Sequence, residues 1–147
     1  MRYLTRGAQG TFEFGAALGA DLAPGDCVLL SGELGAGKSV LARGIAAACG
    51  IAGPMPSPTF TIMIPYEGAK RLYHFDLYRL SDPDEFYAAG LEEFLGGDGI
   101  AVVEWPEMAD LNPAGAVRVR IARGDAEDER IIETAARPGL EEWEAHA

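Results

Sequence analysis

The chain has 147 residues, 48% of them hydrophobic, enough for one domain with a real core and too many for global disorder. Its net charge of −11 and pI near 4.5 argue against a surface that grips a phosphate backbone, and no Lys/Arg cluster with interleaved aromatics offsets them. No apolar run approaches the ~20 residues of a membrane span, and Met1 to Arg6 is not followed by the apolar stretch of a secretory signal.

In chain order, Arg2-Tyr3-Leu4 reads as a first strand, followed by a polar Gly-rich turn through Gly10. Thr11 then caps a helix whose apolar face is Phe14, Leu18 and Leu22, and Pro24-Gly25-Asp26 ends it. Cys27 and Cys49 both sit in apolar surroundings and read as reduced core thiols rather than a disulfide or metal pair. Cys27-Val28-Leu29-Leu30 is a short buried strand, and Leu41 to Cys49 continues as a helix.

Between that strand and helix lies Gly32-Glu33-Leu34-Gly35-Ala36-Gly37-Lys38-Ser39, which fits the Walker A pattern at every defined position. Glycines let the backbone curl until several N–H groups point at phosphate oxygens, and the helix adds its positive end. In that pattern Lys38 reaches the β- and γ-phosphates and the Ser39 hydroxyl is a ligand of Mg²⁺. Glu33, Leu34, Gly35, Ala36, Gly37 and Val40 complete the expected nucleotide contacts. The bound molecule is a purine nucleotide. No guanine signature is present, which favours ATP, with ADP as product.

Ser57-Pro58-Thr59 follows, either a loop that senses the γ-phosphate or an ordinary Ser/Thr turn. Ile62-Met63-Ile64 and Arg71 to Asp76 read as a hairpin, the second strand less buried because its polarity alternates. Asp82-Pro83-Asp84-Glu85 starts a helix that runs to about Ala89, and a second short one covers Leu91 to Leu95. Ile100 to Val103 is a fully buried strand ending at Glu104-Trp105-Pro106. Val117 to Ile121 and Arg130 to Glu133 form a hairpin at one edge of the sheet. Arg130 there either touches the nucleotide or lies on a solvated face. From about residue 138 the chain is an acidic tail, solvated and disordered or a short helix.

A phosphate loop needs a second acidic group at the end of a neighbouring strand. Glu104 is the better match and Asp76 the second, and both serve one metal; the bland alternative for each is a carboxylate capping a strand. His74, alone in an apolar strand, reads as a hydrogen-bonded structural histidine. Tyr78 and Trp105 are rim aromatics that pack either on the nucleotide or on a partner.

The Walker block, Arg43-Gly44, Ser57-Pro-Thr-Phe-Thr61, Tyr73-His-Phe-Asp-Leu-Tyr-Arg79 and Val103-Glu-Trp-Pro106 occur in this order. Together they resemble the bacterial TsaE (YjeE) family, ATPases of tRNA threonylcarbamoyladenosine biosynthesis. The likeness runs from about Thr11 to Pro106. It implies a three-layer α/β P-loop fold over residues 1–147, its mixed sheet having a parallel centre and antiparallel flanks. It also implies a cytoplasmic ATPase, weak alone, whose hydrolysis drives or resets the partner proteins TsaB and TsaD, with tRNA held through them. By position, Lys38 binds phosphate, Ser39 and Glu104 bind Mg²⁺, Asp76 is required for hydrolysis, and Thr11, Thr59 and Trp105 lie in or near the site. Ser39 stands where the family usually has Thr, and either hydroxyl can ligate the metal. Two other readings compete: a nucleotide-gated assembly module without catalysis, and a small-metabolite kinase.

Overall fold

A computed structural model describes residues 1–51, 55 and 62–145. Among the described residues seven strands form one sheet: β1 (Arg2–Arg6), β2 (Cys27–Ser31), β3 (Met63–Tyr66), β4 (Leu72–Asp76), β5 (Ile100–Glu104), β6 (Val117–Arg123) and β7 (Glu129–Glu133), in the order β1-β7-β6-β2-β5-β4-β3. The centre, β6-β2-β5-β4, is parallel. β1 and β7 on one side and β3 on the other are antiparallel, as expected. Pro65 lies in the edge strand β3, where a missing N–H costs no ladder bond.

Helices α1 (Gly7–Ala20) and α2 (Lys38–Ala48) cover one face, burying Phe14, Leu18, Leu41 and Ile45 against Val28, Leu30, Val102, Val119 and Ile121. On the other face α3 (Pro83–Ala88) and 3₁₀ turns at Leu91–Phe94 and Pro106–Ala109 bury Phe75, Leu77, Phe86 and Val103. The start of α3 follows from its sequence. Asp82 caps it by accepting the Asp84 amide at 2.8 Å, and Pro83 takes the first turn. Cys27 and Cys49 are buried free thiols.

Four local expectations are corrected. The first helix begins at Gly7, so Gly7 to Gly10 are helical and Thr11 lies inside the helix rather than at its cap. The low helix propensity of two glycines is overridden by tertiary anchoring: the Gly7 amide donates to Asp128 O at 2.8 Å, and the helix seats against α2. β4 is an inner strand between β5 and β3, with Leu72, Tyr73, His74 and Phe75 all buried. Its apparent alternation came from polar tips, and the Tyr73 tip is bonded to Asp98 at 2.6 Å. The β6–β7 hairpin is not at an edge, because β6 pairs with β2 and β1 covers β7. The acidic tail is not simply solvated. Leu140 is fully buried, Trp143 in the 3₁₀ turn Glu141–Trp143 packs edge-on against Phe14, and Glu144 bridges to Tyr3.

The seat of α1 on α2 explains how the phosphate-loop helix is held. A Cβ on Gly44 would stand 2.1 Å from Phe12 O, and one on Gly15 2.2 Å from Leu41 O, so the backbones touch where no side chain fits. Gly44→Ala is therefore expected to lose about 2 kcal/mol in urea unfolding, overpacking outweighing the ~1 kcal/mol gain in helix propensity. Gly10→Ala in α1, whose Cβ would meet nothing nearer than 3.8 Å, is expected to leave stability unchanged or raise it. Equal effects from the two variants would contradict the close-packing account.

Candidate active site

The loop between β2 and α2 is shaped by its glycines and by β6. Gly32 has φ +149°, and a Cβ there would lie 2.2 Å from Ile121 O, so both its conformation and its space exclude a side chain. α2 begins at Lys38, with Gly37 as its N-cap in the left-handed region, so the first-turn amides open toward the loop.

Lys38 is 5% exposed. Its ammonium donates to Gly32 O at 2.6 Å and Glu33 O at 2.7 Å and lies 4.2 Å from the centre of the Trp105 ring. Burial pulls its pKa below the usual lysine value, while Glu104, Glu107, Asp76 and Glu33 act in the opposite direction. Trp105 holds its place with a left-handed backbone, φ 61°, rare for an aromatic residue. Its amide donates to Leu30 O at 3.2 Å and its ring contacts Tyr78, centroids 4.8 Å apart. That turn swings the ring from the end of β5 across the loop.

The two carboxylates come together through strand register. Asp76 ends β4 and Glu104 ends β5, and they are direct partners in the parallel ladder. The Ser39 hydroxyl donates to Glu104, 3.2 Å from Oε1 and 3.4 Å from Oε2. Asp76 Oδ1 accepts the Tyr78 amide at 3.1 Å. Burial pushes the Asp76 carboxyl above its usual range; the Tyr78 amide pulls it down, Glu104 pushes it further up, and His74 and Lys38 pull it down.

Lys38, Ser39, Asp76, Glu104 and Trp105 line one cleft of about 460 Å³, together with Leu34, Gly35, Gly37, Val40, Tyr78 and Arg79. A second cleft of about 590 Å³ opens on the other side of the loop, lined by Gly7, Ala8, Thr11, Gly35, Gly37, Val40, Glu127, Asp128 and Arg130. Gly35, Gly37 and Val40 belong to both, so the loop is a shared wall.

Most of the expected site residues therefore gather at the loop. Glu33 contributes a carbonyl, held by Lys38, while Leu34 is 65% exposed and Ala36 is buried. Thr11 lines the second cleft, but its hydroxyl is engaged with Thr5 at 2.8 Å. Arg130 supports the loop: Nε donates to Ala36 O and Nη1 to Glu127 O and Glu129 O, each at 2.9 Å. Arg123 leans on the same loop, 3.4 Å from Gly35 O, a contact that sequence spacing did not signal. Ser57, Pro58 and Thr59 lie outside the described residues. His74 is structural in the sense expected, buried and hydrogen-bonded, but its partner is Glu104, at 2.6 Å. Sequence reasoning missed that partner. The signal was available in His74-Phe75-Asp76, since residues two apart on a strand share a face.

A hydroxyl and two carboxylates are hard oxygen donors and fit Mg²⁺, which takes one or two carboxylates and completes its shell with water and substrate phosphate. Among the described residues no group of three or more His, Cys, Asp or Glu forms a protein-only cage. No helix among them is long and apolar enough to cross a membrane.

Comparison with known proteins identifies relatives of the chain. Residues 5–132 match the family described as threonylcarbamoyl adenosine biosynthesis protein TsaE. The chain is 41% identical over 107 residues to the tRNA threonylcarbamoyladenosine biosynthesis protein TsaE of Treponema pallidum, covering 73% of this chain and 79% of that protein. It is 39% identical over 132 residues to the protein of the same name from Mycobacterium tuberculosis, covering 82% and 78%. Its fold is similar to the crystal structure of Bacillus subtilis YdiB, with a TM-score of 0.76 and 32% identity over 97% of this chain and 89% of that one. A P-loop α/β fold with this sheet, matched to one family along nearly its whole length, leads to one conclusion: the chain belongs to the TsaE family.

Proposed function

We propose that this chain is a Mg²⁺-dependent ATP hydrolase serving threonylcarbamoyladenosine formation on tRNA, working on a complex of the TsaB and TsaD proteins rather than transferring the group itself. The observation that carries the hydrolase reading is the convergence of Lys38, Ser39, Asp76 and Glu104 in one cleft beside the phosphate loop. The role in tRNA modification is taken from the names of the relatives.

In this reading the nucleotide straddles the loop. Its phosphates lie over the α2 N-terminus, and its nucleoside lies in the cleft beside Thr11 and Arg130. Lys38 exchanges the carbonyls of Gly32 and Glu33 for phosphate oxygens, and backbone N–H groups from Gly35 to Val40 bind the rest. Ser39 and Glu104 are the residues that hold Mg²⁺, which when bound neutralises charge building up on the phosphates. Asp76 orients the attacking water or accepts its proton, and Trp105 closes the cleft over Lys38. Arg130 acts on the nucleotide through the loop carbonyl it supports. With a net charge of −11, tRNA is held through the partners, in the cytoplasm.

Phosphate release from ATP and Mg²⁺, measured alone and with the TsaB–TsaD pair plus tRNA, tests this. Slow turnover alone and strong stimulation by the pair are expected. Fast turnover that ignores the pair would discard the tRNA-modification role. Modification that persists in a variant binding ATP without hydrolysing it would replace the hydrolase with a nucleotide-gated assembly module.

A further inference from the structure

We infer that His74 is the positioning residue for Glu104, holding its carboxylate in the orientation that serves a divalent cation together with Ser39. The inference rests on the proposed Mg²⁺–nucleotide reading and assigns a role within it. In the β4–β5 ladder His74 stands opposite Val102 and Asp76 opposite Glu104. His74 and Glu104 are thus diagonal neighbours on one face, within reach of a long side chain.

The His74 Nε2 to Glu104 Oε2 distance is 2.6 Å, with side chains 2% and 4% exposed. Ser39 approaches Glu104 at no less than 3.2 Å, so the short contact from His74 is the one that fixes the carboxylate. Nε2 is the donor in this arrangement, since a carboxylate offers only acceptors. The other ring nitrogen, Nδ1, is buried and has no partner among the described residues.

That orphan atom argues against a core-filling role. An aliphatic side chain would fill the same space without stripping water from two ring nitrogens. The polar ring has one hydrogen-bond partner among the described residues, and it is a carboxylate that lines the cleft. A buried donor that fixes the orientation of a metal-binding group is the usual outer-shell device for raising its affinity.

Titration with Mg²⁺ at fixed fluorescent ATP analogue, reading binding rather than turnover, tests the assignment. His74→Leu keeps the bulk and removes the donor. It is expected to raise the Mg²⁺ concentration for half-maximal binding by roughly tenfold or more, with analogue binding in EDTA near wild type; the thermal midpoint should fall, because the buried Glu104 carboxylate loses its short donor. His74→Gln, whose amide N–H extends to about the position of Nε2, is expected to recover most of the loss, whereas the shorter His74→Asn is not. A wild-type Mg²⁺ requirement in His74→Leu would make His74 a core residue. If the Leu variant fails to fold, equal requirements in the Gln and Asn variants overturn the assignment. No Mg²⁺ dependence in the wild type would remove the metal reading and this inference together; a normal wild type with an unaffected Leu variant removes this inference alone.

Discussion

Replacing Lys38 with Ala is expected to lower ATP binding or hydrolysis tenfold or more. The ammonium is almost wholly buried, and three features hold it there: two loop carbonyls, the face of Trp105, and the charges of Glu104, Glu107, Asp76 and Glu33. A charge-assisted hydrogen bond is worth about 1.5–3 kcal/mol, a factor of about 10–150 in an equilibrium constant. The loss should exceed one such bond, because Asp76 and Glu104 line the same cleft and the variant leaves their charge facing incoming phosphates without the ammonium that offsets it. Lys38→Arg is not a conservative control, since a planar fork does not replace a compact ammonium inside a tight loop. Calorimetric titration with ATP, paired with phosphate release, reads both effects. Unchanged hydrolysis in Lys38→Ala would remove the site assignment altogether.

How much of this was legible in the sequence follows from the range of the interactions involved. The phosphate loop was readable because its chemistry is local: Gly32, Gly37, Lys38 and Ser39 have fixed offsets, and a strand and a helix flank them. The start of α3 was readable for the same reason, since Asp82, Pro83 and Glu85 encode it within one turn. The start of α1 was not, because glycines that locally favour a turn are held in a helix by Asp128 and by α2, both distant in sequence. Along β6, buried Val119 and Ile121 alternate with exposed Arg118 and Arg120, a pattern that carries no sign of the Leu30–Val119 pairing that draws β6 into the sheet's interior. At the site, Glu104 and Asp76 were each readable as strand-terminal carboxylates. That they are ladder partners, with His74 fixing one of them, depends on the register of two strands 28 residues apart.

That register bears on the second large effect, expected from Asp76→Asn, which should separate rate from affinity. The substitution keeps an oxygen to accept the Tyr78 amide, so the turn after β4 retains its geometry, and it removes only the negative charge and the capacity to take a proton. If Asp76 orients or deprotonates the attacking water, the rate should fall about 10²-fold or more, the scale of general-base catalysis, while ATP affinity stays nearly constant. Glu104→Gln should differ. Ser39 and His74 both approach the Glu104 carboxylate, and in the glutamine one of its two oxygens becomes an N–H₂, which carries no charge and cannot ligate a metal, so Mg²⁺-dependent binding should fall along with the rate. The pH dependence gives an independent check. Burial and the neighbouring Glu104 push the Asp76 carboxyl up, outweighing Tyr78, His74 and Lys38, so its proton stays on to a higher pH than on an ordinary aspartate. A base must be ionised to act. The acid limb of the rate profile should therefore lie above the range of an ordinary aspartate, and it should vanish in Asp76→Asn. A rate within twofold of wild type, or an acid limb that survives the substitution, would leave Asp76 as the cap of a strand and Glu104 as the carboxylate on which the chemistry rests.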